Sequence, residues 1–347
     1  MASILYVGTD QGVVTLKSGD GRSYTAEHHG LTNWAVPEVA YAPSAPNRVF
    51  AGTRGDGVWL SEDFGATWKK PCYGKHGPGK VRCLTIDPSD NDTLYAGTEP
   101  IDIFISRDGA KSWQRLKSLR NVPFVETITY PVATVEPHVR DIIIDAHDSD
   151  TRYVALQVGY MLKTRDGGKS WELLNKNLDC DVHTIVLHPE NRDKIYVATG
   201  GHDCRAGRAP GRALYSSADG GASWSPMAAH FQEEYSVPLA LHPKNADIIY
   251  AALANGTPSQ WRRRPSGAEG CLIQSTDGGK SWEKLNGALS KANNSFVEAL
   301  TFDPSDSDRL YAAQRNGDLF GSLDSGGSWF KLNVGVREVS DMKAAST

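Results

Sequence analysis

The stretch "SADGGASW" at residues 217–224 belongs to a motif that recurs along the whole chain. Five further copies are "SEDFGATW" (61–68), "SRDGAKSW" (106–113), "TRDGGKSW" (164–171), "STDGGKSW" (275–282) and "SLDSGGSW" (322–329), and "SGDGRSY" (18–24) is a degenerate seventh. Successive copies begin roughly 50 residues apart, which is a period typical of repeat folds. The motif therefore decides how the rest of the sequence is divided.

Each copy follows a stretch with the pattern of short β-strands. Examples are "VRCLTIDPSDNDTLYAGT" (81–98), "VHTIVLHPENRDKIYVAT" (182–199) and "VEALTFDPSDSDRLYAAQ" (297–314). Apolar and polar residues alternate on both sides of a turn that contains Pro and Asp, which predicts two strands, and a third and a fourth strand flank the motif. Four short antiparallel strands at this period are typical of a β-propeller blade. The sequence predicts an all-β, seven-bladed β-propeller with four-stranded antiparallel blades.

The two ends of the chain complement each other. The first repeat begins directly at "ILYVGT" (4–9) without an inner strand, and "VREVSDMKAA" (336–345) follows the last motif with nothing of its own to pair with. We expect the C-terminal strand to complete the N-terminal blade, which closes the ring and removes exposed sheet edges. A single β-propeller domain over 1–347 is predicted.

The repeated motif itself is predicted to be structural. Its Asp can accept hydrogen bonds from backbone N–H groups of a turn, its Gly allows a positive φ, and its terminal Trp is large enough to pack between blades. A calcium loop would need several carboxylates, and most copies offer one. Ala110 stands in the second copy where Gly is usual, which predicts a slightly different turn there.

Ser/Thr-x-Asp-x-Gly-x-Ser/Thr-Trp resembles the Asp-box, or bacterial neuraminidase repeat, of sialidases, sortilin-type receptors, xyloglucanases and photosystem assembly propellers. The resemblance covers essentially the whole chain and implies the propeller fold. It implies no single activity, since the fold carries hydrolases, lyases and binding proteins. Sialidases also carry a Tyr/Phe-Arg-Ile-Pro motif, and Ala35 in "NWAVPEV" (33–39) stands where its Arg is expected. We therefore do not expect a true sialidase.

Composition excludes several classes of partner. The net charge of −4 argues against a nucleic-acid partner. No apolar run approaches the roughly 18 residues of a membrane span, and the N-terminus shows no secretory signal, so a cytoplasmic protein is expected. The five cysteines lack CxxC spacing, so neither a disulfide framework nor a structural zinc site is expected.

The functional face is predicted from the length of the loops. Turns on the motif face are short, whereas the opposite face carries the insertions, and functional loops are usually the long ones. These insertions are 71–80, 117–139, 199–213, 228–236 and 254–271. Seven of the ten histidines map to the same face: His28, His29, His76, His138, His183, His202 and His230.

Alignment of the inner strands places charged residues at the channel mouth. The aligned positions are Pro37, Arg82, Arg140, His183, Val237 and Glu298. Buried charges are costly unless they are paired or used. Two interpretations stay open, namely a ligand-facing cluster and a structural Arg–Glu network that plugs the channel.

The candidate residues suggest an enzyme that holds an anionic small molecule or a saccharide. Arg82 and Arg140 would clamp the anionic group, with Trp34 and Tyr130 as further substrate contacts. His183, His138 and Glu298 are the candidate catalytic residues for acid–base chemistry in a hydrolase or a lyase. A glycosidase would pair two carboxylates, with Glu298 opposite Glu38, Glu126, Glu136 or Asp141.

Two alternatives accompany this prediction. The first is a propeller without catalytic activity that binds a ligand or protein or serves in assembly, as the resemblance to photosystem assembly propellers implies. The second is a metalloenzyme whose divalent metal is held by His138, His183 and His202; otherwise no cofactor is expected. Neither "VEPHVRD" (135–141) nor "GGHDC" (200–204) has diagnostic spacing. The oligomeric state is not predicted.

Overall fold

The computed structural model describes residues 2–72, 76–130, 134–285, 289 and 295–346. It is an all-β, seven-bladed β-propeller, as predicted, whose sheets are antiparallel. Six sheets have four strands, and in the remaining one a single bridge between Leu60 and Lys69 stands in for the outer strand. Among the described residues no helix is long and apolar enough to cross a membrane.

The first two sheets contain strands from the N-terminal part of the chain and the last strand. The first consists of β1 (Ser3–Thr9), β2 (Gly12–Ser18), β3 (Thr25–Gly30) and β27 (Val339–Ser346). The second consists of β4 (Glu38–Ala42), β5 (Ala45–Thr53) and β6 (Gly57–Ser61). β27 pairs with β1 along its length, so the C-terminal strand completes the N-terminal sheet as predicted.

The next three sheets follow one another along the chain. They are β7 (Val81–Asp87), β8 (Asp90–Thr98), β9 (Ile103–Ser106) and β10 (Gln114–Arg115); β11 (Val139–Asp145), β12 (Asp148–Leu156), β13 (Met161–Thr164) and β14 (Glu172–Leu174); and β15 (Val182–Leu187), β16 (Ile195–Thr199), β17 (Leu214–Ser217) and β18 (Ser225–Pro226). Two 3₁₀ segments, Lys117–Asn121 and Pro123–Thr127, and the short helix α1 (His202–Arg205) lie in the connecting loops.

The last two sheets complete the set. They are β19 (Leu239–His242), β20 (Asn245–Leu253), β21 (Cys271–Ser275) and β22 (Glu283–Lys284); and β23 (Val297–Asp303), β24 (Asp306–Gln314), β25 (Asp318–Ser322) and β26 (Phe330–Gly335). The helix α2 (Pro258–Trp261) precedes β21.

The chain divides into two compact units. Unit 1 comprises 1–51, 61–68 and 230–347, and unit 2 comprises 52–60 and 69–229. The groups of residues discussed below each lie within one unit.

The repeated motif forms the turn between the third and fourth strand of a sheet. In the 217–224 copy the Ser217 hydroxyl donates to Asp219 Oδ1 at 2.7 Å and accepts from the Gly221 N–H at 2.8 Å. Asp219 also accepts from the N–H and the hydroxyl of Ser223, at 2.9 and 2.6 Å. The predicted role of the Asp as a backbone acceptor is confirmed. The motif is a hydrogen-bonded turn.

The expectation of a slightly different turn at Ala110 is confirmed in φ, which lies between +87° and +95° for the glycine at this position in the other five copies. Ala110 has φ of +69°, and its N–H donates to the Ser106 hydroxyl at 2.9 Å, as Gly221 does to Ser217 in its own copy. Ser112 N–H donates to Asp108 Oδ1 at 2.9 Å. The hydrogen bonds of the motif therefore hold an alanine in a backbone conformation that usually favours glycine.

The motif tryptophans contribute to the apolar core of each unit. In unit 2, Trp224 is 3% exposed and packs in one cluster with Tyr153 and Leu174 of the preceding sheet and with Ile195 and Tyr215 of its own. Trp171 is only partly buried and packs against the cluster that contains Tyr95 and Val154. Large aromatic side chains thus join neighbouring sheets inside the unit.

Acid should weaken the motif turns. Hydrogen bonds from the Ser223 hydroxyl and the Thr67 hydroxyl are the main causes that lower the pKa of Asp219 and Asp63, each to about 2. A carboxyl whose pKa is lower in the folded state stabilises the fold above its unfolded pKa, near 4, and loses that contribution as the pH falls through 2.

We therefore expect Asp219→Asn to lower the melting temperature at neutral pH and to reduce the further drop between pH 4 and pH 2. The melting curves of the variant and the wild type should converge in acid, as followed by circular dichroism. Parallel pH dependences would contradict this role for Asp219.

Candidate functional site

Four residues picked out by the alignment of inner strands occupy the same local structure. Val81 pairs with Thr98 and Cys83 with Gly97, so Arg82 is the extra residue of a β-bulge at the start of β7. The same shift occurs in β11, β15 and β23, at Arg140, His183 and Glu298. A bulge re-aims a side chain and leaves it outside the ladder. Arg82, Arg140 and His183 lie in unit 2, and Glu298 lies in unit 1.

Arg82 is buried, with 9% of its side chain exposed, and it has two partners. Nη1 donates to Glu99 Oε2 at 3.1 Å, and Nη2 lies 2.8 Å from His138 Nε2. Lys80 also approaches Glu99, at 3.6 Å. Arg82 is thus oriented from two sides by residues of its own unit.

Positive charge is concentrated around Arg82. Burial and the neighbouring Arg54 and Arg140 lower the pKa of Arg82 to about 9, although Glu99 acts in the opposite direction. Nε of Arg82 and Nε of Arg140 are both buried without a hydrogen-bond partner among the described residues. Guanidinium donors of this kind are suited to an additional anion.

His138 is held as a neutral hydrogen-bonding residue. Burial first, and then the charge of Arg82, lower its pKa to about 2. Since Arg82 can only donate, Nε2 of His138 is the acceptor, and Nδ1 donates to the Glu136 carbonyl at 3.0 Å. Both ring nitrogens are occupied, so His138 positions Arg82 in this arrangement.

Tyr130 lies against the same group. Its ring centroid is 6.0 Å from that of His138, and burial and then Asp181 raise its pKa while Arg140 and Arg82 lower it. The sequence-predicted residues Arg82, Arg140, His138 and Tyr130 are therefore brought together. The neighbouring residues 131–133 lie outside the described part of the chain.

His183 forms a pair with a carboxylate that the sequence analysis did not select. His183 Nε2 lies 3.5 Å from Asp181 Oδ1, and Gln157 donates to the same carboxylate. Burial raises the pKa of Asp181, but His183 and Arg140 outweigh it, so the net shift is downward. Asp181 could have been found from the sequence "DVH", in which it precedes His183 by two residues.

His202 belongs to a different group in the same unit. One donor atom each from Cys180, His202 and Asp203 lie within 4.8 Å of one another, the one such set of potential metal ligands in the described ranges. The metal set predicted from His138, His183 and His202 is not assembled in this way, because both nitrogens of His138 are engaged. The five cysteines, all of them described, form no disulfide.

Glu298 has a partner inside unit 1. Its carboxylate accepts from Arg315 Nε, and the Arg315 guanidinium lies 5.5 Å from the Trp261 ring centroid. Trp261, Phe296 and Arg315 line a cavity of about 340 Å³. Trp34 is half-buried in the same unit, in a turn where its N–H donates to the Leu31 carbonyl.

The other carboxylates named for a glycosidase pair have structural contacts or are exposed. Glu38 accepts from Lys343 at 2.8 Å, and Glu126 pairs with Arg120 at 2.9 Å. Asp141 accepts from the Ile185 N–H at 2.8 Å, and Glu136 is exposed. These contacts favour structural roles for Glu38 and Asp141.

A family model described as "Sortilin, neurotensin receptor 3" matches residues 159–266. An oligoxyloglucan-reducing end-specific xyloglucanase of Emericella nidulans is 23% identical over 294 residues, which cover 72% of this chain and 34% of that protein. The chain spans about a third or less of the length of the curated xyloglucanases to which its sequence is similar.

Solved structures share the fold. The GH74 xyloglucanase of Xanthomonas campestris has a TM-score of 0.69 at 16% identity, covering 98% of this chain and 52% of that one. YCF48 bound to a D1 peptide has a TM-score of 0.54 at 14% identity, covering 85% and 84%. At these identities the likeness concerns the fold alone.

Proposed function

We propose that this propeller is a hydrolase that acts on a saccharide carrying an anionic group, which it binds in unit 2. The observation that carries the proposal is the coupling of Arg82 to Arg140, whose Nε donors are both buried and have no partner among the described residues. A carboxylate or sulfate that contacts the two guanidinium groups would accept charge-assisted hydrogen bonds and relieve the repulsion between them. Glu99 and His138 hold Arg82 in position for this contact.

Asp181 and His183 are proposed as the acid–base pair. An ionised carboxylate beside an imidazole orients the ring and stabilises the charge that it gains when it accepts a proton. Arg140 is electrostatically coupled to Asp181 as well as to Arg82, which supports a proposal in which the anion contact and the proton transfer belong to one group. Tyr130 is a further substrate contact in this scheme.

The xyloglucanases among the relatives support the saccharide part of the proposal, because they are proteins that act on a polysaccharide. Glu298 is left out of the catalytic group, since its carboxylate is paired with Arg315. Trp34 lies in unit 1 and is not part of the proposed group in unit 2, so its role as a substrate contact stays a separate prediction.

A second function, binding of an acidic ligand without catalysis, is favoured by one specific observation. Arg82 already has Glu99 and His138 as partners, and both nitrogens of His138 are occupied. Such an arrangement is rigid and suited to recognition. The structural neighbour YCF48 was solved with a bound peptide, which supports this alternative.

One set of assays separates the two functions. Matched neutral and acidic oligosaccharides are titrated into the protein by calorimetry and then incubated with it, and new reducing ends are measured. We expect the acidic members to bind at least 10-fold more tightly, to lose affinity with added salt, and to be hydrolysed by the wild type.

The His183→Ala variant should retain binding and lose hydrolysis by at least 100-fold. Binding without turnover by the wild type would favour the second function. Equal affinity for neutral and acidic members would overturn both proposals.

A further inference from the structure

A cavity of about 370 Å³ in unit 2 has chemistry that the proposed function does not use. Its lining residues include the apolar and aromatic Phe124, Ile128 and Tyr160, as well as Cys180, His202, Asp203 and Arg208. Cys180 precedes strand β15, and His202 and Asp203 begin the short helix α1. Two separate segments thus bring a thiol, an imidazole and a carboxylate to one wall.

We propose that Cys180, His202 and Asp203 form a binding site for a divalent transition metal, with zinc as the best match. Thiolate, imidazole and carboxylate are the three kinds of ligand that zinc takes from proteins. The site goes beyond the proposed function, because neither Arg82, Arg140 nor His183 takes part in it.

The spacing of the three donors is close to what a tetrahedral ion needs. With Zn–S and Zn–N bonds of about 2.3 and 2.0 Å, neighbouring ligand atoms lie roughly 3.3–3.8 Å apart. The donor atoms of Cys180, His202 and Asp203 lie within 4.8 Å of one another.

Hydrogen bonds already fix two of the ligands relative to each other. The Cys180 N–H donates to Asp203 Oδ2 at 3.2 Å, and the Tyr160 hydroxyl donates to the same oxygen at 3.1 Å. Arg208 holds the other oxygen of Asp203 through Nε and Nη2, at 2.9 and 2.6 Å. Supporting contacts of this kind orient ligands for a metal.

Two carboxylates near the thiol are buried, Asp179 and Asp203. Asp203 is already paired with Arg208, at 2.6 Å. A divalent ion would share Asp203 with Arg208 and bind the deprotonated thiol. The thiol proton would leave to the solvent as the metal–sulfur bond forms.

A zinc ion held by these three protein ligands would keep one further coordination position for a water molecule. Three protein ligands with one remaining position are typical of zinc sites that act on a small ligand. Phe124 and Ile128 line the same cavity as the three ligands.

Cobalt(II) provides a direct test on the full chain, because a bound thiolate gives it a charge-transfer absorption. We expect one cobalt ion per chain, displacement by zinc, and release of a proton measured in buffers of different ionisation enthalpy. Cys180→Ser should abolish the charge-transfer band and weaken metal binding by at least 100-fold.

Controls keep the assignment specific. Cys271→Ser removes another buried cysteine, in unit 1, and should leave the band unchanged. His202→Ala changes a half-buried side chain and should weaken binding at least 10-fold, which tests the site even if Cys180→Ser does not fold. Failure of the wild type to bind cobalt or zinc, or retention of the band in Cys180→Ser, would overturn the proposal.

Discussion

Replacement of Arg140 by alanine should weaken binding of an acidic saccharide by at least 100-fold and leave the fold intact. Nε of Arg140 is buried with no hydrogen-bond partner among the described residues, and its charge repels Arg82 while it attracts Asp181. Loss of a buried charge-assisted contact to a ligand costs on the order of 3 kcal/mol, which is roughly 100-fold in affinity. Removal of the Arg140 charge relieves repulsion on Arg82 but also removes attraction to Asp181. Because these two effects oppose each other, the free energy of unfolding should change by less than about 1 kcal/mol.

Calorimetric titration with an acidic oligosaccharide measures the binding affinity of the variant, and urea unfolding measures its free energy of unfolding. Arg165→Ala is a matched control, because Arg165 is an exposed arginine of a motif turn in the same unit. It should change neither quantity appreciably. Unfolding of Arg140→Ala at room temperature would show that Arg140 is a structural residue, and unchanged affinity would show that the anion binds elsewhere.

Truncation of Trp224 to alanine should lower the free energy of unfolding by about 3–5 kcal/mol. Trp224 is 3% exposed and packs with Leu174 of the preceding sheet and Tyr215 of its own, so its removal leaves a cavity that the two sheets cannot fill. Nε1 of Trp224 has no hydrogen-bond partner among the described residues, so the loss is one of packing. Urea unfolding followed by fluorescence measures the change.

Trp171→Ala is the comparison variant, since Trp171 is a motif tryptophan that is only partly buried. Trp171→Ala should lower the free energy of unfolding by less than Trp224→Ala, although it also removes the hydrogen bond from Trp171 Nε1 to the Ser118 hydroxyl at 3.2 Å. A larger loss in Trp171→Ala would contradict the view that burial of the motif tryptophan sets its contribution. In both variants we expect the folded protein to bind ligand with unchanged affinity, so that any loss of binding reflects a smaller folded fraction.

The fold could be predicted because its signals are local and repeated. The hydrogen-bonded turn around Asp219 and the alternation in strands such as β15 depend on residues close in sequence. β27 and β1 lie at opposite ends of the sequence, but their pairing could be predicted because the first repeat lacks an inner strand that β27 can supply. The turn at Ala110 differs from the others in φ, as predicted, while its hydrogen bonds hold an alanine where glycine is usual.

The site could be predicted only in part. Arg82, Arg140 and His183 were predicted because they occupy equivalent positions in their repeats. In the structure each of them lies in a β-bulge at the start of its strand. The partners came from elsewhere, since Glu99 lies beyond the end of β8 and Cys180 approaches His202 across a loop. Contacts between side chains of loops that are distant in sequence produce no recognisable residue spacing from which they could be predicted.

The most direct test of the central claim is a crystal structure of the protein with the acidic oligosaccharide that binds most tightly in calorimetry. Our account predicts that a carboxylate or sulfate oxygen of the ligand lies within about 3.2 Å of a guanidinium nitrogen of Arg82 or Arg140. A ligand bound in another place, with neither arginine in contact with its anionic group, would contradict the account.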